Sequence, residues 1–534
     1  MSFSQQRIWF FEQMEPGSRV FQRPSRLRLR GPLRLETLAG VLREIVRRHE
    51  PLRTVIRWND ASLEQIVLPA PADVALPFED LSGLPEPERE RRLREREEED
   101  ARPFDLARGP LWRARLVRWE EDDHRLLWNV HHAVFDAWSM TVLVAEIEAL
   151  SEAFAAGRPS ALPEPSLPYR EYARRQRERM RRPEAARQLA WWKRKLAGAP
   201  VLLDLPSARP RPARESFGAG FEDVSFGVEL SARLKALARS QGVTIFMAAL
   251  ALFQVLLARR SGRRDFLLGV PVAGRGQVDT ENLIGCFINT VVLRADLSGD
   301  VSFSGLLRRV RTAALKAYEN QDVPFERVVQ EVQPKRSANH PPLFQMMMNF
   351  RNVPRRPPGS GPLTVGVEPA ESRVAMVDLE MDLVAGAGEI GARFVYATDL
   401  FETDDVVRLG EELRALAERV ATDPECLLTD LLSGGAAPAP GSVPAAEAAG
   451  LAGPLPDDAV ERRIASLLAG ILGVAQMAAD DDFFDRGGDS LLVIRAISRI
   501  RDAFGIEIPV REFFESSTAA GLARRVEARP RPAR

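Results

Sequence analysis

Cysteine is almost missing from this 534-residue sequence: Cys286 and Cys426 are the only two. Two thiols cannot build a disulfide framework or a cysteine-based zinc cluster, and they fit a chain kept in a reducing cytoplasm. An excess of charge is missing too. The 74 basic and 75 acidic side chains leave a formal net charge of −1, so overall charge gives nucleic-acid binding no support. Lysine is scarce, present only at Lys193, Lys195, Lys235, Lys316 and Lys335. The basic residues are therefore nearly all arginine, in keeping with a GC-rich bacterial genome. Long apolar runs are missing as well. The greasiest stretch, residues 243–258, is shorter than the ~20 residues a membrane helix needs. It also contains Thr244 and Gln254 and is followed by Arg259 and Arg260. It reads as a buried helix, and no membrane partner is expected. The first residues, Met1-Ser2-Phe3-Ser4-Gln5-Gln6-Arg7, lack the basic-then-apolar order of a signal peptide.

What remains is ordinary globular composition, 45% hydrophobic and 28% charged, with room for about three or four domains. Residues 1–433 alternate helical and strand patterns, so the expected fold class is α/β (α+β). Pro206, Pro210 and Pro212 interrupt regular structure and place a boundary between two lobes, 1–205 and 215–433. Residues 434–456 have the Ala/Pro/Gly composition of a linker. Residues 457–528 read as a compact, mostly helical unit with a short tail at 529–534. Within the first part, the spacing predicts an amphipathic helix over 35–49, with Leu38, Val41, Leu42, Ile45 and Val46 on one side. The alternating Glu and Arg of 86–102 predict a solvated, ion-paired helix. Paired strands are expected over 113–119 and 124–130, a helix over 139–154, and buried strands over 266–272 and 290–297.

Histidine is limited to His49, His124, His131, His132 and His340. Two of the five are adjacent, at the end of a predicted strand. Successive strand side chains point to opposite faces, so one of the pair supports the structure while the other reaches a cleft. Asp136 follows a tight loop later; it either orients an imidazole or fixes the loop through an arginine. The plainer alternative is a core histidine pair and a helix-capping aspartate. Adjacent histidines lack zinc-ligand spacing, and no metal is expected. A neutral imidazole near pH 7 suits acyl transfer, in which it takes or steers a proton from an attacking amine, hydroxyl or thiol.

His131-His132-x-x-x-Asp136, followed by Ala137-Trp138-Ser139, resembles the HHxxxD core of nonribosomal peptide synthetase condensation domains. Five other segments resemble that family's remaining motifs, in family order. They are Ser2-Phe3-Ser4-Gln5-Gln6-Arg7-Ile8-Trp9-Phe10, Arg48-His49-Glu50-Pro51-Leu52-Arg53-Thr54, Tyr169-Arg170-Glu171-Tyr172-Ala173, Ile284-Gly285-Cys286-Phe287-Ile288-Asn289-Thr290 and Asn320-Gln321-Asp322-Val323-Pro324-Phe325-Glu326. The resemblance implies two chloramphenicol-acetyltransferase-like lobes set in a V, with a tunnel between them. His132 would stand at its centre, and carrier-bound donor and acceptor would enter from opposite ends. The candidate catalytic set is His131, His132 and Asp136, with Asp136 mainly structural and paired to Arg275 or Arg48. Asn289 is expected to line the tunnel, and Trp138 and Ser139 to support it. Where the family usually has glycine this chain has Ala137. An added methyl, at a place where glycine would permit unusual backbone angles, is expected to narrow the acceptor route without blocking it.

The C-terminal unit has predicted helices over 460–472 and 491–504, with Gly487-Gly488-Asp489-Ser490 just before the second. The plain reading of Ser490 is helix N-capping. The functional reading is phosphopantetheine attachment, because a phosphodiester at a helix N-terminus meets free N–H groups and the positive dipole end. The segment resembles a four-helix peptidyl carrier (thiolation) domain, which implies covalent 4'-phosphopantetheine on Ser490. Together the resemblances imply a cytoplasmic, amide-forming condensation–carrier didomain. Its partners would be an upstream carrier protein or synthetase chain, an adenylation domain acting in trans, a phosphopantetheinyl transferase, and a downstream synthetase or release enzyme. An ester-forming or CoA-dependent acyltransferase, an epimerase, and a non-catalytic recruitment platform are the alternatives.

Overall fold

The computed structural model describes residues 1–59, 62–200, 202–206, 209–212, 215–334, 340–350, 362–368, 374–385, 388–433, 459–483, 486, 490–506 and 508–529. The expected linker 434–456, the Gly487-Gly488-Asp489 turn and all but the first residue of the 529–534 tail lie outside the described residues.

Two mixed sheets organise the larger part. The first has five strands in the order Thr364–Glu368, Gln22–Arg30, Asp123–His131, Trp112–Glu120 and Phe78–Asp80. Its central strand, Asp123–His131, is buried along its whole length. Antiparallel neighbours flank it, with Leu27 opposite Leu126 on one side and Leu116 opposite Leu126 on the other. The helix Leu35–Arg48 packs its Leu38, Val41, Leu42, Ile45 and Val46 inward, each at most 2% exposed. It ends one residue earlier than expected, because His49 adopts extended backbone and the turn Glu50–Arg53 follows. The charge-laced helix runs over Glu86–Asp100, with Leu93 and Asp100 its buried residues.

The second sheet has six strands in the order Ala219–Ser225, Ile390–Ala397, Leu379–Ala385, Met346–Phe350, Asp265–Val272 and Asn289–Asp296. The apolar run forms the helix Ile245–Ser261, buried on nearly every side. The Thr244 hydroxyl accepts from the Met247 N–H at one end, and Gly262, at φ +70°, closes the other. Left-handed backbone of that kind favours glycine. No single helix among the described residues is long and apolar enough to cross a membrane.

A division by chain position at 205–215 does not separate the sheets. The strand Thr364–Glu368, from the second half, completes the edge of the first sheet beside Gln22–Arg30, with Leu27 opposite Val367. Short strands of this kind are specified by the edge they pair with, and their sequence does not announce that partner.

The C-terminal unit, taken by itself, is helical: Ala459–Leu472, Ser490–Phe504, Val510–Glu515 and Ala519–Glu527. Its core holds Ile464, Leu468, Val493, Ile500 and Leu522, and an edge-to-face pair, Phe483 and Phe513, 5.2 Å apart.

Candidate active site

The central strand of the first sheet ends at His131, and His132 opens a one-turn 3-10 helix over His132–Val134. The ladder carries on through both residues: the His131 N–H donates to the Leu111 carbonyl at 2.8 Å, and the His132 N–H donates to the Phe21 carbonyl at 2.7 Å. The alternation expected of a strand therefore governs the pair. The His131 side chain is 2% exposed. Its Nδ1 accepts from the Ala133 N–H at 3.2 Å, and its ring lies against Phe21 and Phe104. His132 is half-buried. Its Nδ1 lies 2.6 Å from the Phe135 carbonyl. A carbonyl only accepts, so Nδ1 carries the hydrogen and Nε2 keeps its lone pair. Burial, followed by the Arg23 guanidinium, holds the His132 pKa well below the ordinary 6.5. His132 is thus a neutral imidazole of fixed tautomer.

Asp136 caps the helix Ala137–Ala155, its Oδ1 accepting from the Ser139 N–H at 2.8 Å and the Ser139 hydroxyl at 2.7 Å. Its Oδ2 accepts from the Phe287 N–H at 3.0 Å. Arg275 closes the arrangement from the far half of the chain, with Nη2 2.9 and 3.1 Å from the two carboxylate oxygens. The two side chains are 1% and 4% exposed. The other Arg275 terminal nitrogen donates to the Thr280 and Leu283 carbonyls, and the guanidinium lies 4.0 Å over the Phe287 ring. Gly274, at φ +65°, allows this approach, since a Cβ there would stand 2.0 Å from the Phe287 carbonyl oxygen.

The segments singled out in the sequence meet here. The Gln5 side chain donates to the Ala133 carbonyl at 3.2 Å, and the Ser4 hydroxyl donates to the Ile288 carbonyl at 3.0 Å. The Tyr169 hydroxyl reaches the Cys286 carbonyl at 2.6 Å and Ser2 Oγ at 3.1 Å. Ser139 Oγ accepts from the Gly285 N–H at 3.0 Å. Arg7 pairs with Glu326 at 3.1 Å. Hydrogen bonds thus fasten the loop carrying the histidines to the turn 285–288.

A family profile described as Condensation domain matches residues 1–434. The chain belongs to the condensation domain family. A second profile, Phosphopantetheine attachment site, matches residues 462–526. A linear gramicidin synthase of Brevibacillus parabrevis is 40% identical over 430 residues, covering 79% of this chain and 6% of that protein. Phosphinothricin tripeptide synthetase PhsB of Streptomyces viridochromogenes is 38% identical over 422 residues, covering 78% and 35%. The solved X-domain from teicoplanin biosynthesis superposes with a TM-score of 0.71 at 28% identity, over 80% of this chain and 96% of that one. The chain spans well under two thirds of the length of these curated relatives. Condensation followed by carrier is a nonribosomal peptide synthetase arrangement, and the carrier domain takes 4'-phosphopantetheine covalently on a serine. The chain fits that group: a 15-residue helix begins at Ser490, the backbone setting that favours a phosphodiester.

Within the condensation domain, the expectations for Arg48 and Asn289 need correction. Arg48 does not pair with Asp136. It pairs with Glu146 at 3.0 Å and donates to the Pro163 carbonyl at 2.8 Å, while His49 Nε2 lies 3.0 Å from the same carboxylate. That buried ion pair joins the helices Leu35–Arg48 and Ala137–Ala155. The Asn289 amide is not presented to a tunnel. It donates to the Gln321 and Val323 carbonyls at 2.8 and 2.9 Å and accepts from the Phe325 N–H at 2.9 Å, so all its polar groups staple one turn. Ala137 is the first helical residue after the Asp136 cap and has none of the positive φ seen at Phe217, Gln333 and Leu343. Its side chain is exposed. Trp138 donates from its indole to the Glu281 carbonyl at 2.8 Å. Sequence reasoning passed over Glu146, Ser2, Gln5 and the Tyr169 hydroxyl as functional groups. The signal for Glu146 is a carboxylate among the otherwise uncharged buried residues of its helix.

Proposed function

We propose that this condensation–carrier pair forms an amide between an upstream carrier-bound acyl or peptidyl thioester and the amine of an aminoacyl acceptor. The observation that carries the reading is the neutral His132, with its Nδ1 hydrogen committed to Phe135 and its Nε2 left as an acceptor. In this reading His132 Nε2 accepts a hydrogen bond from the attacking amine, orients it, and takes its proton as the C–N bond forms; the thioester C–S bond then breaks, and the departing thiolate takes up that proton. His131 and Asp136 brace the loop that carries His132, through Ala133 and through Ser139, Phe287 and Arg275. When bound, 4'-phosphopantetheine supplies the thiol that presents each partner as a thioester. A thioester needs little further activation, so proximity contributes much of the rate; effective molarities of ~10^5 M or more are available to well-oriented groups.

Ser490 is proposed as the attachment residue. Incubation with a broad phosphopantetheinyl transferase and CoA is expected to raise the intact mass by one arm, and Ser490→Ala to abolish the rise. An arm retained by that variant would reassign the site. Loading by an adenylation domain acting in trans, and onward transfer to a downstream synthetase or release enzyme, complete the proposed sequence. The test of the function is mass spectrometry of the chain after incubation with a loaded upstream carrier. An amide-linked gain supports the reading, an ester-linked gain makes the chain an ester synthase, and no transfer leaves it a recruitment platform.

A further inference from the structure

The strand Gln22–Arg30 runs antiparallel beside the histidine strand, with Gln22 opposite His131 and Arg23 opposite Val130. Side chains alternate along both strands. Gln22 therefore shares the face of His131 and Asn129, and the Gln22 carboxamide oxygen accepts from the Asn129 amide at 2.8 Å. Arg23 falls on the other face, with Val130 and His132. It stands diagonally across from His132, within reach of a long side chain. Its guanidinium is held there: Nη1 donates to the Val20 and Gln22 carbonyls at 2.9 and 2.8 Å, and Nη2 lies 3.7 Å from Met376 Sδ. A cation on a flexible stem is thereby fixed to the backbone of the neighbouring strand, close to the imidazole.

We propose that Arg23 is a positioning residue for His132: its anchored cation, on the same face of the sheet, keeps the imidazole in the neutral form that the amide-forming step uses. The inference rests on the proposed role of His132 and names the residue that tunes it. Among the described residues, Arg7, on the N-terminal helix Phe3–Met14, and the neighbouring His131 also disfavour the imidazolium. Arg7 is ion-paired to Glu326, and Asp136 on the adjoining loop is neutralised by Arg275. Burial is the largest influence and Arg23 the next. Two consequences follow. An imidazolium formed by proton transfer is short-lived beside a fixed cation, so His132 gives its proton up quickly. The acceptor amine meets the same field, which favours its unprotonated, nucleophilic form.

The chain has only five histidines, so their ring C–H signals are separable by NMR of the full chain, with His132 identified by its loss in His132→Ala. In wild type, His132 is expected to titrate below 6.5. Arg23→Gln is expected to move its midpoint up by about one pH unit, still short of 6.5, because burial remains. Arg23→Lys, which keeps a cation and carbonyl donors on the same face, is expected to stay nearer wild type than Arg23→Gln. The acid limb of single-turnover condensation is expected to move with the midpoint. Equal shifts in the Gln and Lys variants would make Arg23 a structural strut and overturn the proposal, as would a wild-type midpoint at 6.5 or an unmoved midpoint in Arg23→Gln. Because the titration is read without turnover, its failure is distinct from failure of the His132 role, which shows as full activity in His132→Ala.

Discussion

His132→Ala, with both carriers preloaded, is expected to form amide about 10^2- to 10^4-fold more slowly than wild type, the range typical for loss of a general base. Preloading removes adenylation and arm attachment from the comparison. The variant is expected to stay folded and to accept the arm at Ser490, because the His132 side chain donates one bond to a backbone carbonyl and is half-buried. His131→Ala is expected to lose stability first, since His131 is buried against Phe21 and Phe104 and anchors Ala133. Wild-type turnover by His132→Ala would show that the chemistry resides in the aligned substrates. The depressed pKa adds a pH signature. The folded protein keeps His132 neutral where the unfolded chain, at about 6.5, takes up a proton. The unfolded state therefore binds more protons below that pH, and this contribution to stability is complete above it and declines as the pH falls. In the same way, the condensation rate is expected to hold down through pH 6.5, where an unperturbed imidazole would already be half-charged.

Asp136→Ala is expected to destabilise the condensation domain by ~3–5 kcal/mol, the usual cost of removing one partner of a buried ion pair. The reason is specific. Arg275, 1% exposed, would lose its carboxylate while still buried over Phe287. The Ser139 and Phe287 N–H groups would lose their acceptor, and the helix Ala137–Ala155 its cap. A lowered melting temperature together with lost activity is the expected result. Arg275→Met should behave similarly, and the double variant should cost less than the sum of the two singles, because the two side chains share one interaction. Lost activity with an unchanged melt would instead give Asp136 a direct chemical role. Arg48→Met is a useful contrast. It breaks the pair with Glu146 and leaves the Asp136–Arg275 pair in place, so its loss of stability should come without the loss of the Asp136 cap.

Much of this was readable because it is local. The period-2 alternation that separates His131 from His132 needs only neighbouring residues. The largely apolar run of 243–258 fits a helix buried on nearly every side, and the stripe at Leu38, Val41, Leu42, Ile45 and Val46 fits a helix face turned to a core. Even the plain reading of Asp136 as a helix cap holds together with its ion pair: one carboxylate does both.

The sequence by itself determined the order of the motifs, the residue types at the candidate site, the alternation of the two histidines and the helix that begins at Ser490. Only the tertiary structure decided which of two arginines meets Asp136, that Asn289 is consumed by the turn 321–325, that Thr364–Glu368 crosses to the first sheet, and that Arg23 shares a face with His132. The physical reason is the reach of each kind of information. Periodicity assigns a residue to a face within its own element. The partner across a sheet or beneath a loop is chosen by register and by the packing of segments more than a hundred residues apart, and Arg275 and Arg48 look equally suitable until those segments are folded together.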